Sequence, residues 1–291
     1  MIPPRFDYAR PASLDEALQL LASREGEAKV LAGGFSLLPL MKYRLAQPGL
    51  LVDIGRVAGL DAIEEVDGEL RIGARATHGA IAGHPLVAAR YPLIREAAGG
   101  IGDPQIRNWG TIGGSCAHAD PASDWPAVIQ ALRGSFVCRS LGRERVVAAR
   151  GFFLDVFTTG IEPTEVLTQV RVPRPGPRSG GAYVKLERRT GDFATVGVAA
   201  QVQLGADGRI AEVGLGLTAV ADAPFAAGDA EDALRGALPS AEKFREAGLA
   251  AARQARPAED RHGPVDYKLT MVRVMTERAL RLATERAQAN G

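Results

Sequence analysis

Short apolar runs alternate with amphipathic stretches over the first 55 residues. Runs at 28–31 and 50–54 have the length and composition of buried strands, and the apolar spacing over 37–43 predicts a helix between them. An earlier helix is predicted after the capping box from Ser13 to Glu16, in which a hydroxyl and a carboxylate can satisfy free backbone N–H groups. These patterns predict a β-α-β unit near the start of the chain.

The pattern becomes more strand-like between residues 63 and 172. Polar and apolar residues alternate over 69–76 after an Asp67-Gly68 turn, which is typical of a half-buried strand in a hairpin. The glycine-rich stretch 101–115 lacks this periodicity and is predicted to be irregular. The remaining predicted elements are helices at 77–81, 91–98 and 124–132 and strands at 135–139, 145–149 and 165–172.

Prolines and glycines crowd into residues 173–181, and this change of composition is the clearest domain boundary in the sequence. We therefore expect an α+β fold with one domain over residues 1–175 and a smaller domain over 178–288. The smaller domain should contain three antiparallel strands, two of them joined by an Asp207-Gly208 turn, and then helices. The predicted elements are strands at 182–186, 195–204 and 210–220 and helices at 226–238, 240–253 and 266–288.

The bulk composition excludes several classes of protein. The 291 residues are 46% apolar and 24% charged, as in ordinary globular proteins, and a net charge of +1 gives no reason to expect a nucleic-acid partner. No apolar run reaches the roughly 20 residues that span a bilayer, and the first residues lack a basic segment followed by an apolar one. We therefore expect a cytoplasmic protein that is at most peripheral to a membrane.

The residues that bind metals in other proteins are sparse in this sequence. Cys116 and Cys138 are too few for the four thiolates that an iron–sulfur cluster normally takes. Histidines occur at positions 78, 84, 118 and 262, without the spacing of a metal site. We therefore expect no metal in this chain.

Two segments carry the candidate chemistry, and each places a Gly-Gly pair near a hydroxyl residue. The pairs are Gly33-Gly34, before Ser36, and Gly113-Gly114, before Ser115. A backbone without side chains can approach a phosphate closely and point N–H groups at it. Neither segment has the P-loop lysine or a G-x-G-x-x-G spacing, so a diphosphate would be held by amides rather than by fixed charges. One such pair alone is more simply explained as a tight turn, but two in long matching contexts favour a cradle.

The two segments also resemble a known family. Ala-Gly-Gly-x-Ser-Leu-Leu-Pro from Ala32 and Thr-Ile-Gly-Gly from Thr111 resemble the FAD-binding medium subunit of molybdenum hydroxylases. The runs 118–124 and 191–199 extend the resemblance over nearly the whole chain, and the flavin domain of xanthine dehydrogenase is similar. The resemblance implies an FAD-binding domain of the vanillyl-alcohol-oxidase or PCMH type, in which the flavin lies between two α+β subdomains. A smaller α+β domain, like the C-terminal domain of the carbon monoxide dehydrogenase flavoprotein, would follow.

The same resemblance implies which residues contact FAD. The first segment would wrap the diphosphate, the second would close on its other side, Asp124 would accept a hydrogen bond from the flavin, and Lys185 would approach the ring from the second domain. Phe35 stands where relatives often have histidine or glutamine, and Ser115 where many have asparagine. The resemblance therefore carries over backbone contacts at these two positions and not side-chain hydrogen bonds. The implied set is Ala32, Gly33, Gly34, Phe35, Ser36, Leu37, Leu38, Ile101, Thr111, Ile112, Gly113, Gly114, Ser115, Asp124, Leu167 and Lys185.

The resemblance further implies an oxidoreductase subunit rather than a complete enzyme. Substrate would be hydroxylated at a molybdenum cofactor in a large partner subunit, and two 2Fe–2S clusters in a small partner subunit would carry electrons to the FAD of this chain. An external acceptor would then receive them, and the expected assembly is a dimer of heterotrimers, a heterohexamer. Two alternatives stay open: a stand-alone FAD-dependent oxidoreductase that binds its own substrate, and a non-catalytic assembly module that has lost flavin.

Overall fold

The computed structural model describes residues 2–291. The first part of the chain forms a small parallel sheet with two α-helices. Its elements are β1 (Asp7–Ala9), α1 (Leu14–Ser23), β2 (Ala28–Leu31), α2 (Leu37–Lys42) and β3 (Leu50–Asp53). β3 lies in the middle of the sheet and pairs in parallel with both other strands. Ser13 caps α1, since its hydroxyl accepts the N–H of Glu16 at 3.2 Å. The predicted β-α-β unit is therefore confirmed as β2, α2 and β3.

The second part of the chain is built on a five-stranded antiparallel sheet. Its strand order is β4-β5-β10-β6-β7, and six helices connect β5 to β6. The Asp67-Gly68 hairpin turn has φ angles of 54° and 78°, as a two-residue turn of type I′ requires. The elements are β4 (Ile63–Val66), β5 (Glu69–Gly73), α3 (His78–Gly83), α4 (Pro85–Arg90), α5 (Pro92–Gly100), α6 (Pro104–Trp109), α7 (Ile112–His118), α8 (Asp124–Ala131), β6 (Ser135–Ser140), β7 (Arg143–Ala148), β8 (Phe153–Asp155), β9 (Thr158–Thr159) and β10 (Val166–Pro173).

The prediction that residues 101–115 are irregular was wrong. Asp103 caps α6 by accepting the N–H of Ile106 at 2.8 Å, and Pro104 occupies the first turn, where its missing N–H costs nothing. Thr111 caps α7 in the same way, accepting the N–H of Gly114 at 3.1 Å. Gly113 and Gly114 lower the helix propensity of α7, and Gly102 and Gly110 flank α6, so the sequence of both short helices resembles a loop.

The last part of the chain is an antiparallel sheet covered by helices. Its elements are β11 (Ser179–Leu186), β12 (Val196–Leu204), β13 (Ile210–Thr218), β14 (Phe225–Ala226), α9 (Gly228–Leu234), α10 (Ala241–Gln254) and α11 (Val265–Ala289). The three predicted strands are confirmed as β11 to β13, and the two-residue β14 extends the sheet beside β13. Within residues 2–291, no helix is long and apolar enough to cross a membrane.

Helix α8 joins the second part of the chain to the last. It lies directly on β13, because Gly214 and Gly216 expose the strand backbone on that face. A Cβ at either glycine would lie 1.9 Å from a carbonyl oxygen of α8, that of Ala131 or of Ala127. Backbone therefore touches backbone here, and no larger residue fits without separating the helix from the sheet.

Candidate functional site

The first glycine segment offers a row of free hydrogen-bond donors. Gly34 has a φ of 80°, a conformation that favours glycine, and the chain then enters α2 at Leu37. Within the part of the chain that the structure describes, the backbone N–H groups of residues 33–37 donate no hydrogen bond. Ser36 precedes α2 without capping it through its side chain. A run of unpaired amides beside a glycine turn is the donor set that a diphosphate requires.

Gly33 is required by the contact between the two segments. A Cβ at this position would lie 2.2 Å from the carbonyl oxygen of Trp109 and 3.1 Å from the Cα of Gly110. The first segment therefore rests on the backbone that leads into the second. The structure thus gives Gly33 a role that the phosphate argument did not contain, since its missing side chain lets the two segments meet.

The second glycine segment is held from behind by the rest of its subdomain. The N–H groups of Ile112 and Gly113 donate to the carbonyls of Ala76 and Ala74, at 3.1 Å and 2.9 Å. A Cβ on Gly113 would lie 2.4 Å from the Cβ of Ala74, so α7 packs closely against this support. The next N–H groups donate to Thr111, to its side chain and its carbonyl. Because its amides already have acceptors, this segment offers a firm wall more than free donors.

Asp124 and Lys185 meet across the boundary between the two domains. Lys185 Nζ on β11 lies 3.3 Å from Asp124 Oδ2 at the start of α8, and the hydroxyl of Tyr183 donates to the other carboxylate oxygen. Lys185 also lies 3.5 Å from Glu187. Burial raises the pKa of Asp124, although the lysine and the tyrosine oppose this shift. Burial and then the neighbouring Asp124 carboxylate raise the pKa of Tyr183 well above its ordinary value.

Tyr183 is the member of this cluster that the sequence interpretation missed. It is two residues before Lys185 on the same strand, and side chains two apart share one face of a strand. That spacing was the available signal. Nothing in the sequence, however, indicates that this face of β11 turns toward a carboxylate 59 positions earlier.

Ile101 lies at the end of α5, where the second domain reaches the first. Arg107 donates from Nη1 to the carbonyls of Ile101 and Gly102, at 3.0 Å and 2.9 Å, and so fixes this turn. Gly191, in the loop between β11 and β12, approaches the same turn closely, since a Cβ there would lie 3.0 Å from the carbonyl oxygen of Gly102. Phe193 of this loop is exposed. The loop and the turn therefore form one edge of the candidate site.

Leu167 lies inside the protein, whereas Ser115 is only half-buried. Leu167 is buried in the core beside a bulge in β10, and the carbonyl of the next residue, Thr168, accepts the N–H of Ala74 behind the second segment. The hydroxyl of Ser115 lies 2.6 Å from that of Ser123. Leu167 thus supports the site from the core, and the contact with Ser123 holds the Ser115 side chain in place.

Large apolar side chains are exposed in the first segment, after α2, and at Trp109, whose backbone meets Gly33. Phe35 is 46% exposed, Leu38 39% and Trp109 67%. Tyr43 and Leu45, after α2, are also exposed. We call these five residues the apolar rim. Exposed apolar residues concentrated in one short region are typical of a surface that contacts a partner or a ligand.

The residues present fit a flavin dinucleotide better than a metal ion. Free amides on the first segment suit the diphosphate, and a lysine amine beside a buried carboxylate suits a ring that gains negative charge on reduction. No group of three or more histidine, cysteine or acidic side chains within residues 2–291 is arranged to hold a metal. Cys116 is fully buried, and burial raises the pKa of its thiol above the ordinary value.

Comparisons with known proteins match nearly the whole chain to FAD-binding medium subunits of dehydrogenases and hydroxylases. Residues 4–175 match the FAD binding domain in molybdopterin dehydrogenase, and residues 181–283 match the CO dehydrogenase flavoprotein C-terminal domain. The carbon monoxide dehydrogenase medium chain of Hydrogenophaga pseudoflava is 42% identical over 286 residues, which cover 98% of this chain and 99% of that one. The nicotine 6-hydroxylase medium subunit of Paenarthrobacter nicotinovorans is 37% identical over 278 residues, 95% of this chain and 96% of that one.

Solved structures give the same result for the fold. A structure of carbon monoxide dehydrogenase from Hydrogenophaga pseudoflava superposes with a TM-score of 0.96 and 44% identity, covering 98% of this chain and 99% of that chain. Quinoline 2-oxidoreductase from Pseudomonas putida 86 superposes with a TM-score of 0.91 and 33% identity, covering 100% of this chain and 99% of that chain. The predicted α+β fold, with its second, smaller domain, is therefore confirmed.

Proposed function

This chain belongs to the family of FAD-binding medium subunits of molybdenum hydroxylases, which are oxidoreductases, and from that premise we propose that it relays electrons between two partners. It would receive them from 2Fe–2S clusters of a small subunit and pass them to an external acceptor, while a large subunit with a molybdenum cofactor oxidises the substrate. The observation that carries the proposal is the row of free amides at residues 33–37, which meets the backbone leading into the second glycine segment.

We assign the binding roles to this chain's residues by the groups that they present. The amides of the first segment would hold the diphosphate, with Leu37 and Leu38 continuing this wall. The second segment, from Thr111 to Ser115, would form the opposite wall. When bound, FAD supplies the ability to accept electrons singly and to release them as a pair.

The cluster of Asp124, Tyr183 and Lys185 would serve the ring end of the site. The Lys185 side chain is only 10% exposed and its amine lies beside the carboxylate, so its position is fixed before any ligand arrives. Asp124 and Glu187 balance the lysine charge in the FAD-free chain, and an N–H group held in place in this way stabilises negative charge that develops nearby without a cost of reorganisation. Ile101, held by Arg107, and the exposed Phe193 would shape the neighbouring edge. Leu167 would support the site from the core.

The need for partner subunits follows from the composition and from the surface. Two buried cysteines cannot ligate an iron–sulfur cluster, so the clusters must lie in another chain. The apolar rim consists of exposed apolar side chains, and it is the surface on which we place the iron–sulfur subunit. We further propose that the assembly is a dimer of heterotrimers. The proposed domains of this chain are residues 1–175 and 178–288, and its cytoplasmic location stays a prediction.

The visible spectrum of the full chain, purified and incubated with FAD, tests the flavin site. We expect one FAD for each chain and no oxidation of substrate until the large and small subunits are added. A chain that cannot be reconstituted with FAD would refute the proposal. A chain that oxidises a substrate alone would refute the relay and favour a stand-alone oxidoreductase.

A matched pair of glycine variants tests the place of the site. Gly34 and Gly208 have nearly the same positive φ, 80° and 78°, but Gly208 lies in the hairpin between β12 and β13. Alanine at either position introduces the same backbone strain, and at Gly34 its Cβ would also lie 3.0 Å from a methyl group of Leu38. We expect Gly34→Ala to weaken FAD binding at least tenfold and Gly208→Ala to leave it unchanged. Equal FAD affinity in the two variants would place the diphosphate elsewhere.

A further inference from the structure

One buried histidine contacts the residue before the second glycine segment and the residue after Asp124. His78, the first residue of α3, is 4% exposed, and its Nδ1 accepts a hydrogen bond from the indole Nε1 of Trp125 at 3.0 Å. Its backbone N–H donates to the carbonyl of Gly110 at 3.0 Å. A Cβ on Gly110 would lie 2.8 Å from His78 Nε2, so the imidazole rests directly on that backbone.

These contacts join the parts of the site into one connected path. Gly110 directly precedes the second glycine segment and touches Gly33 of the first. Trp125 directly follows Asp124, which binds Lys185 of the second domain. His78 is therefore the link between the wall that would hold the diphosphate and the cluster that would serve the ring.

The chemical state of His78 suits this role at neutral pH. Burial, and secondarily the Arg107 guanidinium on α6, lowers the pKa of His78 to about 4. The neutral ring accepts at Nδ1 and carries its proton on Nε2, since the Trp125 indole can only donate. Trp125 is fully buried, so its N–H would have no acceptor if the imidazole were removed.

We propose that His78 is a positioning residue of the flavin site, which fixes the second glycine segment relative to Asp124 through its contacts with Gly110 and Trp125. This inference rests on the proposed function, because it assigns a role toward FAD. A buried histidine with a satisfied hydrogen bond would otherwise only stabilise the core. A positioning role predicts that loss of His78 weakens FAD binding, whereas a purely stabilising role predicts that it lowers the free energy of unfolding and leaves FAD affinity unchanged.

The test uses variants that remove and restore the acceptor in the full chain. His78→Leu removes it, His78→Asn places an amide oxygen near the position of Nδ1, and Trp125→Phe removes the donor. FAD affinity is measured by fluorescence titration, and the free energy of unfolding of the FAD-free chain is measured beside it. We expect His78→Leu and Trp125→Phe each to weaken FAD binding about tenfold and His78→Asn to restore it to within about threefold. The double variant should be no worse than the poorer single variant, because both act on one hydrogen bond.

Three results would overturn the inference. If His78→Leu loses stability but binds FAD as the wild type does, the histidine only stabilises the core. If His78→Asn binds FAD as weakly as His78→Leu does, the hydrogen bond is not what positions the segment. If the wild-type chain itself binds no FAD, the proposed function falls and the inference falls with it, whereas the first two results leave the proposed function intact. Should His78→Leu not fold, Trp125→Phe and His78→Asn make the same comparison.

Discussion

The contact between the two glycine segments gives the sharpest prediction, for the variant Gly33→Ala. The added Cβ would lie 2.2 Å from the carbonyl oxygen of Trp109, whereas ordinary contacts begin near 3.4 Å. The oxygen belongs to the backbone and cannot rotate away, so the segments must separate by about 1 Å. Overpacking of this kind typically costs 1–3 kcal/mol of stability.

The effect on FAD binding should exceed the effect on folding. A shift of about 1 Å takes an amide out of hydrogen-bond range of a phosphate oxygen, since N–H···O bonds weaken beyond about 3.2 Å. Hydrogen bonds to charged acceptors contribute about 1.5–3 kcal/mol each. Loss of one or two of them amounts to about 3 kcal/mol, or roughly a hundredfold in the dissociation constant of FAD.

The assay is a titration of the FAD-free variant, followed by flavin fluorescence, beside a urea unfolding curve. Two other glycines serve as controls. A Cβ on Gly114 would meet only the Thr111 hydroxyl, at 2.7 Å, and no backbone atom, so Gly114→Ala should weaken binding less. Gly100 has open space around a new Cβ, and Gly100→Ala should leave FAD affinity unchanged. FAD affinity in Gly33→Ala within threefold of the wild-type value would refute the reasoning.

Three further predictions concern stability and its pH dependence. Gly216→Ala places a Cβ 1.9 Å from a carbonyl of α8 and should lower the urea midpoint by the equivalent of about 3 kcal/mol, whereas Gly228→Ala, with open space, should not. Glu231→Ala removes a buried carboxylate that binds Arg150 at 2.5 Å and should cost about 3 kcal/mol in the same assay, and an unchanged midpoint would contradict this. The pKa of His78 is about 4 in the folded chain against the ordinary value of 6.5 in the unfolded chain, so between these pH values only the unfolded chain binds the proton. The free energy of unfolding should therefore fall as the pH drops from 6.5 to 4, by roughly 3 kcal/mol from this residue. The free energy of unfolding, measured at several pH values in this range, should change less with pH in His78→Asn than in the wild type. The same pH dependence in both proteins would count against a buried neutral imidazole.

Local patterns predicted most of the fold. The Asp67-Gly68 and Asp207-Gly208 turns lie in hairpins, and the capping box at Ser13 begins a helix as expected. Each of these signals is complete within a few residues, so no distant contact is needed to interpret it. The two helices within residues 104–118 were not predicted, because their caps, Asp103 and Thr111, stand among glycines that individually favour turns.

The site was harder to predict because its defining contacts are long-range. Resemblance to a family supplied Asp124 and Lys185, but their separation by 61 positions left their mutual contact invisible. The same holds for His78 and Trp125, which are 47 positions apart. Periodicity can place a residue on a face, but only the packed fold decides which two faces meet.

Close contacts cross the domain boundary that the sequence predicts, and they connect both domains to the candidate site. Gly214 and Gly216 let α8 lie directly on β13, and α8 begins at Asp124, which Tyr183 and Lys185 of β11 hold. The smaller domain thus fixes the start of α8, and through Trp125 and His78 it also reaches the second glycine segment. Because backbone contacts of this kind are intolerant of larger side chains, a substitution in the smaller domain can change the geometry of a site that lies largely in the other domain.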